Sequence, residues 1–523
     1  MKKQRIIDNI KAGVLLACSL CWSTQEAEAQ GLSAAGMEQL KTQRLWAQSA
    51  NAAGMVFDDT SNYSDLNLGY NWQKGDFQRP QDGAKETSFN VSSEGFINLK
   101  NAYVWGAFSF TEKNMTDAGY NASITDPYRG MPYYVVDSHL SNWRNQYYNL
   151  QFRAATPLLW NRWAFGIEGT YAASIAAKQR DPRVDSRCYT LELIPGVTYQ
   201  LSEQHKLGFS FKYTSLKEDS RMDREDSNTD HDYYIMYGLG VAVKGIGTGR
   251  TADYYGDRFG GALQYNYSTS GLNLLLEAAY DVKAETVTQN YLSTPKKDAA
   301  VKDKNARLTA LLHQQGEKFS HFLKADYNYR HIDGIQYLSQ RDNTEAAEGW
   351  IELYSSIRST YEAQAINLDY AFSQNRGAEY SWKLNLIANY TKQADEYLLP
   401  NSVKNIENLQ LSLFAKKNFV LGKEMNRRLL LDVHATYKQN LSGEYVYGGT
   451  HADYLTVTEL ETRDCNYLMS DYWRLGASLT YSQQVKKAQK MNLFAKAAVD
   501  CMTTSDYEFN DRTYVSFSLG CNF

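Results

Sequence analysis

The stretch RTYVSFSLGCNF, Arg512–Phe523, alternates strictly between apolar side chains and polar or small ones. Strict alternation is typical of a β-strand that has one apolar face. The apolar positions are Val515, Phe517, Leu519, Cys521 and Phe523. Chain termini usually fray, so an aromatic residue on the apolar face at the last position is unusual for a soluble domain.

The same alternation recurs along the chain, and each apolar stripe is closed by an aromatic residue. It runs for about nine to thirteen residues, which is the length needed to cross a bilayer at a tilt. An aromatic residue at the end of the stripe fits the membrane–water interface. A soluble β-sandwich would have shorter strands. The clearest copies are LNLLLEAAY (Leu272–Tyr280), WKLNLIANY (Trp382–Tyr390), LLLDVHATY (Leu429–Tyr437) and WRLGASLTY (Trp473–Tyr481).

The sequence therefore predicts an all-β protein, a closed antiparallel transmembrane β-barrel. The alternation gives about 19 strand candidates, whereas single-chain bacterial barrels have an even number. The difficulty lies within residues 217–257. A second strand hidden in 230–257 would give about 20 strands, and an extracellular excursion would give about 18.

Loop lengths predict the orientation, because short turns are periplasmic and long loops extracellular. The stretches near 285–303, 332–361, 392–405, 440–469 and 502–511 are predicted to be long outer loops. Residues 65–523 form the predicted barrel, and residues 30–64 a short periplasmic or lumenal segment. Met37–Met55 can form one short helix there. So short a segment cannot hold a core, so no globular plug domain is expected.

The N-terminus has the pattern of a secretory signal peptide over residues 1–29. Basic residues precede the apolar core Gly13–Trp22, and Ala27-Glu28-Ala29 predicts cleavage before Gln30. A rival interpretation is lipoprotein processing at Cys18. Either way the nearby Cys21 belongs to the signal, and the sequence leaves open whether Cys18 is lipidated.

Composition excludes several classes of function. The 523 residues carry a net charge of −4 and include 40 tyrosines, so nothing indicates a nucleic-acid partner. No later segment is apolar over about 18 positions, which excludes membrane-spanning helices. Four widely spaced cysteines after the signal do not make a disulfide framework.

No catalytic, cofactor-binding or metal-binding residues are predicted. The acidic stretch Lys217–Asp232 ends in Asp230-His231-Asp232, which could suggest a rim protease or a calcium site. Its spacing does not match an EF-hand loop, and a solvated charged loop is the simpler interpretation.

The segment DPYRGMPYYVVD, Asp126–Asp137, is the candidate lumen-gating loop. A barrel of this size would otherwise leave a wide channel. Glycine permits a tight turn, and proline stiffens the residues after it. The candidate gating residues are Tyr128, Arg129, Gly130, Pro132, Tyr133 and Tyr134. The alternative is a loop that merely packs on its neighbours, with 332–361 or 440–469 as the next candidates for the gate.

Four motifs resemble an uncharacterised family of outer-membrane β-barrels from anaerobic gut bacteria. They are RLWAQSANAAGM (Arg44–Met55), DPYRGMPYY (Asp126–Tyr134), DPR (Asp181–Arg183) and YYGDRFGGALQY (Tyr254–Tyr265). The resemblance covers the whole mature chain and implies the barrel fold, but it supplies no catalytic residues. It also implies a TonB-dependent transporter as a candidate partner.

The predicted function is that of an outer-membrane channel, a transporter or an accessory component of an uptake system, and not an enzyme. A lipase-type or protease-type barrel, or a structural or surface-binding barrel, is the alternative. The expected partners are outer-membrane lipid, lipopolysaccharide and the barrel-assembly machinery. An aromatic C-terminal residue resembles the signal that this machinery recognises, which assigns Phe523, Leu519 and Phe517 to assembly.

Overall fold

The structure is a computed structural model, and it describes residues 32–226, 228–247, 250–291, 294–342, 349–422, 426–485 and 491–523. The predicted signal peptide, its cleavage site and Cys18 lie outside the described residues. No helix in these ranges is long and apolar enough to cross a membrane.

The core of the molecule is a closed antiparallel barrel of 18 strands. Each barrel strand pairs with the next one in the chain, and β21 pairs with β1 to close the cylinder. The barrel strands are β1 (Tyr63–Gly75), β2 (Lys85–Leu99), β3 (Ala102–Ala118), β5 (Ser141–Ala155), β6 (Trp163–Lys178), β7 (Arg183–Gln200), β8 (His205–Asp223), β11 (Arg250–Ser268), β12 (Leu272–Tyr291), β13 (Thr294–Gln315), β14 (Phe319–Asp342), β15 (Gly349–Arg376), β16 (Glu379–Tyr397), β17 (Ser402–Leu421), β18 (Arg427–Val446), β19 (Tyr472–Gln484), β20 (Asn492–Thr503) and β21 (Asp511–Asn522).

Three further strands lie outside the barrel and settle the strand count. These are β4 (Val135–Asp137), β9 (His231–Gly238) and β10 (Val241–Gly247), which form a separate three-stranded sheet. The strands that begin at His231 and Val241 are therefore not barrel strands. β8 pairs directly with β11, from Met222 opposite Arg250 onward, and leaves no place between them. The excursion interpretation is the right one, with 18 strands.

Three of the predicted outer loops are mostly strands instead. Most of 285–303 belongs to the paired strands β12 and β13, most of 332–361 to β14 and β15, and most of 392–405 to β16 and β17. β15 alone has 28 residues, whereas about 9–11 suffice to cross a bilayer. The sequence predicts loops here because the strands continue beyond the apolar belt. In that region the residues no longer alternate between apolar and polar, although the neighbouring strands are still paired.

The outer surface of the barrel carries the apolar stripes that the alternation predicts. Leu276, Leu384, Leu475 and Phe517 are 40–58 % exposed. The aromatic residues that close the stripes also face outward, as Tyr280 does at 54 % exposure. The alternating inward positions are mainly polar, so the barrel has an apolar outside and a polar inside.

Residues 32–62 lie inside the barrel, at the end where the connections between strands are short. They form α1 (Ala34–Gln43) followed by 3-10 turns at Trp46–Gln48 and Ala52–Phe57. The helix is shorter than the predicted stretch Met37–Met55. Leu45 and Trp46 are fully buried in a cluster with residues of β12, β13, β14 and β15.

At the opposite end, which carries the long connections, chain segments fold over the lumen. The β4–β9–β10 sheet lies there. So does the segment between β18 and β19, which contains a π-helical turn (Thr456–Glu461) and α2 (Thr462–Met469). Below, the two ends are called the short-turn end and the long-loop end.

Candidate functional site

A cavity of about 300 Å³ lies beneath the covering segments at the long-loop end. Its walls come from the predicted gating segment, from β14 to β17, and from the π-helical turn and α2. Apolar lining residues include Met131, Pro132 and Met236, and charged ones include Lys404 and Asp464. The cavity is thus an amphipathic compartment enclosed by loops and barrel wall.

Arg129 ties the gating segment to two barrel strands. Its guanidinium hydrogen-bonds Glu218 on β8 and donates to Glu285 on β12 at 2.8 Å. Both glutamate side chains are 0 % exposed, and that of Arg129 is 10 % exposed. The guanidinium also lies over the Tyr254 ring, 5.0 Å from its centroid. Buried ion pairs of this kind hold the segment firmly in place, because losing one partner leaves the other charge buried and unpaired.

Gly130 allows the segment to pass close to the barrel wall. Its φ is +90°, and an added Cβ would lie 2.6 Å from Nη2 of Arg330 and 2.7 Å from Cδ1 of Ile332. The same Arg330 nitrogen donates to the carbonyl of Arg129 at 2.7 Å. The turn that the sequence predicts at Gly130 therefore also serves a close approach to β14.

Hydrogen bonds hold two tyrosines of the segment, Tyr133 through its backbone and Tyr134 through its side chain. The Tyr254 hydroxyl donates to the carbonyl of Tyr133 at 3.1 Å. The amide of Gln81 donates to the Tyr134 hydroxyl at 3.1 Å. Burial raises the pKa of Tyr134 well above its ordinary value, so this hydroxyl stays neutral.

A second group of charges holds α2 against the opposite wall. Lys404 on β17 donates to Glu461 at 2.9 Å and to Asp464 at 3.0 Å. Arg79 donates to Asp464 at 2.7 Å and stacks over the Tyr128 ring, 3.8 Å from its centroid. Burial alone would raise the pKa of Asp464, but the charges of Lys404 and Arg79 bring it down to about 2.

Sequence reasoning missed this second group. The sequence offers one indication: Glu461 and Asp464 lie within 440–469, which is an alternative candidate for the gate. Nothing local marks Arg79 or Lys404, because Arg79 and Asp464 are 385 positions apart in the chain.

The short-turn end is occupied by the N-terminal segment. The Glu38 carboxylate accepts from Tyr380 at 2.7 Å, from Lys383 at 3.0 Å and from Lys416 at 3.0 Å. Burial raises the pKa of Glu38, yet the two lysines outweigh it and bring the value to about 2. α1 is thereby fastened to β16 and β17.

Asn51 fastens the same segment to the other side of the barrel. Its side-chain amide donates to the carbonyls of Val197 and Phe209 at 3.1 and 3.2 Å, and to Oε1 of Gln264 at 3.0 Å. A Cβ on Gly196 would lie 2.2 Å from the Asn51 carboxamide oxygen, so only glycine fits there. The segment therefore spans the lumen from β16 and β17 to β7, β8 and β11.

The candidate assembly residues lie on β21 and at its end. Phe517 and Leu519 face outward and are 51 % and 48 % exposed. Phe523 follows the strand at its pairing with the start of β1. The structure thus brings these residues together on the closing strand, far from the cavity.

The acidic stretch Lys217–Asp232 is not the solvated loop that its charge predicts, because its residues up to Asp223 belong to β8, where Glu218 is buried against Arg129. Toward its end the charged residues pair with nearby ones. Asp230 pairs with Arg224, and Asp232 with Lys244 at 2.6 Å. His231 stacks edge-on against His139, with ring centroids 5.1 Å apart. Over the described ranges, no group of three or more His, Cys, Asp or Glu could hold a metal ion, and Cys188, Cys465 and Cys501 are free thiols.

The family of unknown function DUF6850 matches residues 52–523. The chain belongs to that family. The match takes in the barrel and the cavity-lining loops of this DUF6850 protein, whereas α1 with Glu38 precedes it. No curated protein matches the chain.

Several solved structures are similar to this DUF6850 chain at low sequence identity. The ferric yersiniabactin uptake receptor FyuA from Yersinia pestis is 10% identical over 89% of this chain and 80% of its own, with a TM-score of 0.41. The ferric preacinetobactin receptor BauA from Acinetobacter baumannii is 9% identical over 88% and 80%, with a TM-score of 0.38. The copper transporter OprC is 8% identical over 88% and 80%, with a TM-score of 0.37.

Proposed function

We propose that this protein is a gated uptake barrel of the Gram-negative outer membrane. The closed sheet with an apolar outer belt supports a membrane location, because a barrel satisfies every backbone hydrogen bond within the bilayer. The short-turn end then faces the periplasm and the long-loop end faces outward. Membrane lipid, lipopolysaccharide and the barrel-assembly machinery are its proposed partners.

The observation that carries the proposal is the Arg129 tie. A loop that only packed on its neighbours would not need a buried arginine shared between two barrel strands. Breaking these buried pairs is costly, so the loop stays closed at rest. Breaking them would free the loop without disrupting the hydrogen-bonded barrel sheet, which suits a gate. At the other end, residues 32–62 lie across the lumen and form the second closure.

Two closures in series distinguish this barrel from an open porin. A solute would first displace the outer segment, reside in the cavity, and pass inward only when the N-terminal segment moves. An accessory role beside a TonB-dependent transporter is the second form of the same proposal. In that case the barrel would hold a solute and hand it on.

Planar bilayer recording tests the proposal with four proteins. These are the wild type, Arg129→Ala, a deletion of residues 32–58, and the combination of both changes. We expect the wild type to be closed and the combination to conduct in discrete steps. Each single change should conduct less than the combination, because one closure remains.

Arg187→Ala is the matched control. Arg187 is 68 % exposed in its side chain and pairs with Asp185, so its loss should leave the bilayer silent. Heat-modifiable mobility in gels confirms that each barrel is folded. If the deletion does not fold, Glu38→Gln with Asn51→Ala replaces it. A folded combination variant that never conducts would show that transport is the wrong function.

A further inference from the structure

One carboxylate in the loop-covered cavity lacks a cation. Asp395 on β16 is 4 % exposed and lines the cavity. Its Oδ2 accepts a hydrogen bond from Gln393. Its Oδ1 is buried and has no hydrogen-bond partner within the part of the chain that is described. A buried polar oxygen without a donor is costly, so this site favours a ligand that supplies one.

The cations around the cavity are already engaged by other carboxylates. Lys404 donates to Glu461 and Asp464, at 2.9 and 3.0 Å. Arg79 donates to Asp464 at 2.7 Å. Arg330 donates to Asp303 at 3.1 Å. Lys404 lies near enough to Asp395 to attract its charge. The hydrogen bonds of Lys404 nevertheless go to Glu461 and Asp464.

A second carboxylate adds to the negative charge of the cavity. Glu362 also lines it and contacts Nδ1 of His331 at 3.1 Å. The cavity lining contains four carboxylates (Glu362, Asp395, Glu461 and Asp464) and three fixed cations (Arg79, Arg330 and Lys404). Since Arg330 is shared with Asp303, outside the lining, the cavity has room for a further positive charge.

Apart from Gln81 and Gln393, the rest of the wall is apolar or aromatic. Met131, Ile332 and Leu460 line the cavity together with Tyr128. The Tyr128 hydroxyl is buried, and within the described ranges it too has no hydrogen-bond partner. The volume of about 300 Å³ corresponds to roughly ten water molecules, which suits a small organic molecule rather than a bare ion.

We propose that the cavity binds a small protonated amine that carries an apolar body. The ammonium donates to Oδ1 of Asp395, and the body lies against the methionine, isoleucine and leucine side chains. The inference rests on the proposed function, because the cavity is the place where a solute would be held on its way inward. It adds the chemical class of that solute.

Equilibrium dialysis in detergent tests it with three amines of increasing size: butylamine, phenethylamine and tryptamine. Each is compared with an alcohol of the same skeleton, such as 2-phenylethanol for phenethylamine. We expect at least one amine to bind about tenfold or more tightly than its alcohol, because the bond to the carboxylate is charge-assisted. Arg129→Ala is measured in parallel, so that slow entry past the gate cannot hide binding.

Asp395→Asn should weaken amine binding about tenfold or more and leave the alcohol almost unchanged. Asp185→Asn removes a carboxylate that is 53 % exposed and should change neither. Equal binding of amine and alcohol, unchanged amine binding by folded Asp395→Asn, or no binding of any amine would each overturn the inference.

The two proposals fail separately. Dialysis needs no flux, so Asp395-dependent amine binding by a barrel that never conducts would remove the transport function and keep the binding site. Conduction by the combination variant without amine binding would remove only the ligand class.

Discussion

The backbone amide of Phe523 donates to the carbonyl of Ser64 at 2.9 Å, and the amide of Ser64 donates to the carbonyl of Phe523 at 3.1 Å. This reciprocal pair continues the register of β21 on β1, in which Asn522 lies opposite Asp65. The last residue of the chain therefore takes part in closing the cylinder. A barrel without this seam would expose two unpaired strand edges.

The first prediction concerns that seam. Deleting Phe523, or changing it to Asp, should lower the amount of heat-modifiable barrel in the outer membrane, because both changes weaken the closing pair and the proposed assembly signal. Tyr507→Asp is the control, since Tyr507 is 55 % exposed in the turn before β21. Normal folded yield from both Phe523 variants would refute the assigned role.

The second prediction concerns the fastening of α1. Glu38→Gln should destabilise the N-terminal segment by about 1.5–3 kcal/mol, the usual range for hydrogen bonds to charged groups. Because the folded pKa of Glu38 is lowered to about 2, its contribution is present above about pH 4.5 and is lost as the pH falls toward 2. Thermal unfolding of both proteins across this range measures it.

The wild-type advantage over Glu38→Gln should therefore shrink on acidification. An advantage that stays constant through the acid range would show that the carboxylate charge contributes nothing. Gln39→Ala is the control, because it changes the residue next to Glu38 without adding a charge beside the site.

The third prediction concerns Gly130. Gly130→Ala should strain the turn by about 1–3 kcal/mol, because the φ of +90° disfavours a side chain. The added methyl also meets Arg330 and Ile332. We expect faster tryptic cleavage after Arg129 in intact cells. Gly349→Ala is the control, as a Cβ there meets nothing within 4 Å. Equal cleavage rates in the two variants would argue against a loop held by this turn.

The fourth prediction concerns Lys404. Lys404→Met should lower the local stability of α2 by about 3–5 kcal/mol, because it removes the cation shared by buried Asp464 and half-buried Glu461. Hydrogen exchange of the amides in Thr462–Met469 should become faster. Lys417→Met changes an exposed lysine on the same strand and should have no such effect. Unchanged protection of α2 would mean that apolar contacts, rather than the ion pairs, hold it.

Alternation along the sequence was enough to find all the strands that form the barrel. Successive side chains of a strand point alternately into the barrel and out toward the lipid. Because the two environments differ in polarity, the sequence alternates with a period of two residues. Leu384, Leu475 and Phe517 face outward for this reason. Glycine, proline and aromatic residues likewise predict an ordered loop at Tyr128–Tyr134.

Tertiary structure alone decided the strand count and the site. Residues 231–238 are rich in aromatic and apolar strand formers, and only their pairing with β4 and β10 excludes them from the barrel. Glu38 and Lys383 are 345 positions apart, and Arg129 and Glu285 are 156 apart. Local pattern cannot report such pairs, because closing the cylinder is the step that brings opposite walls, the N-terminal segment and the outer loops into contact.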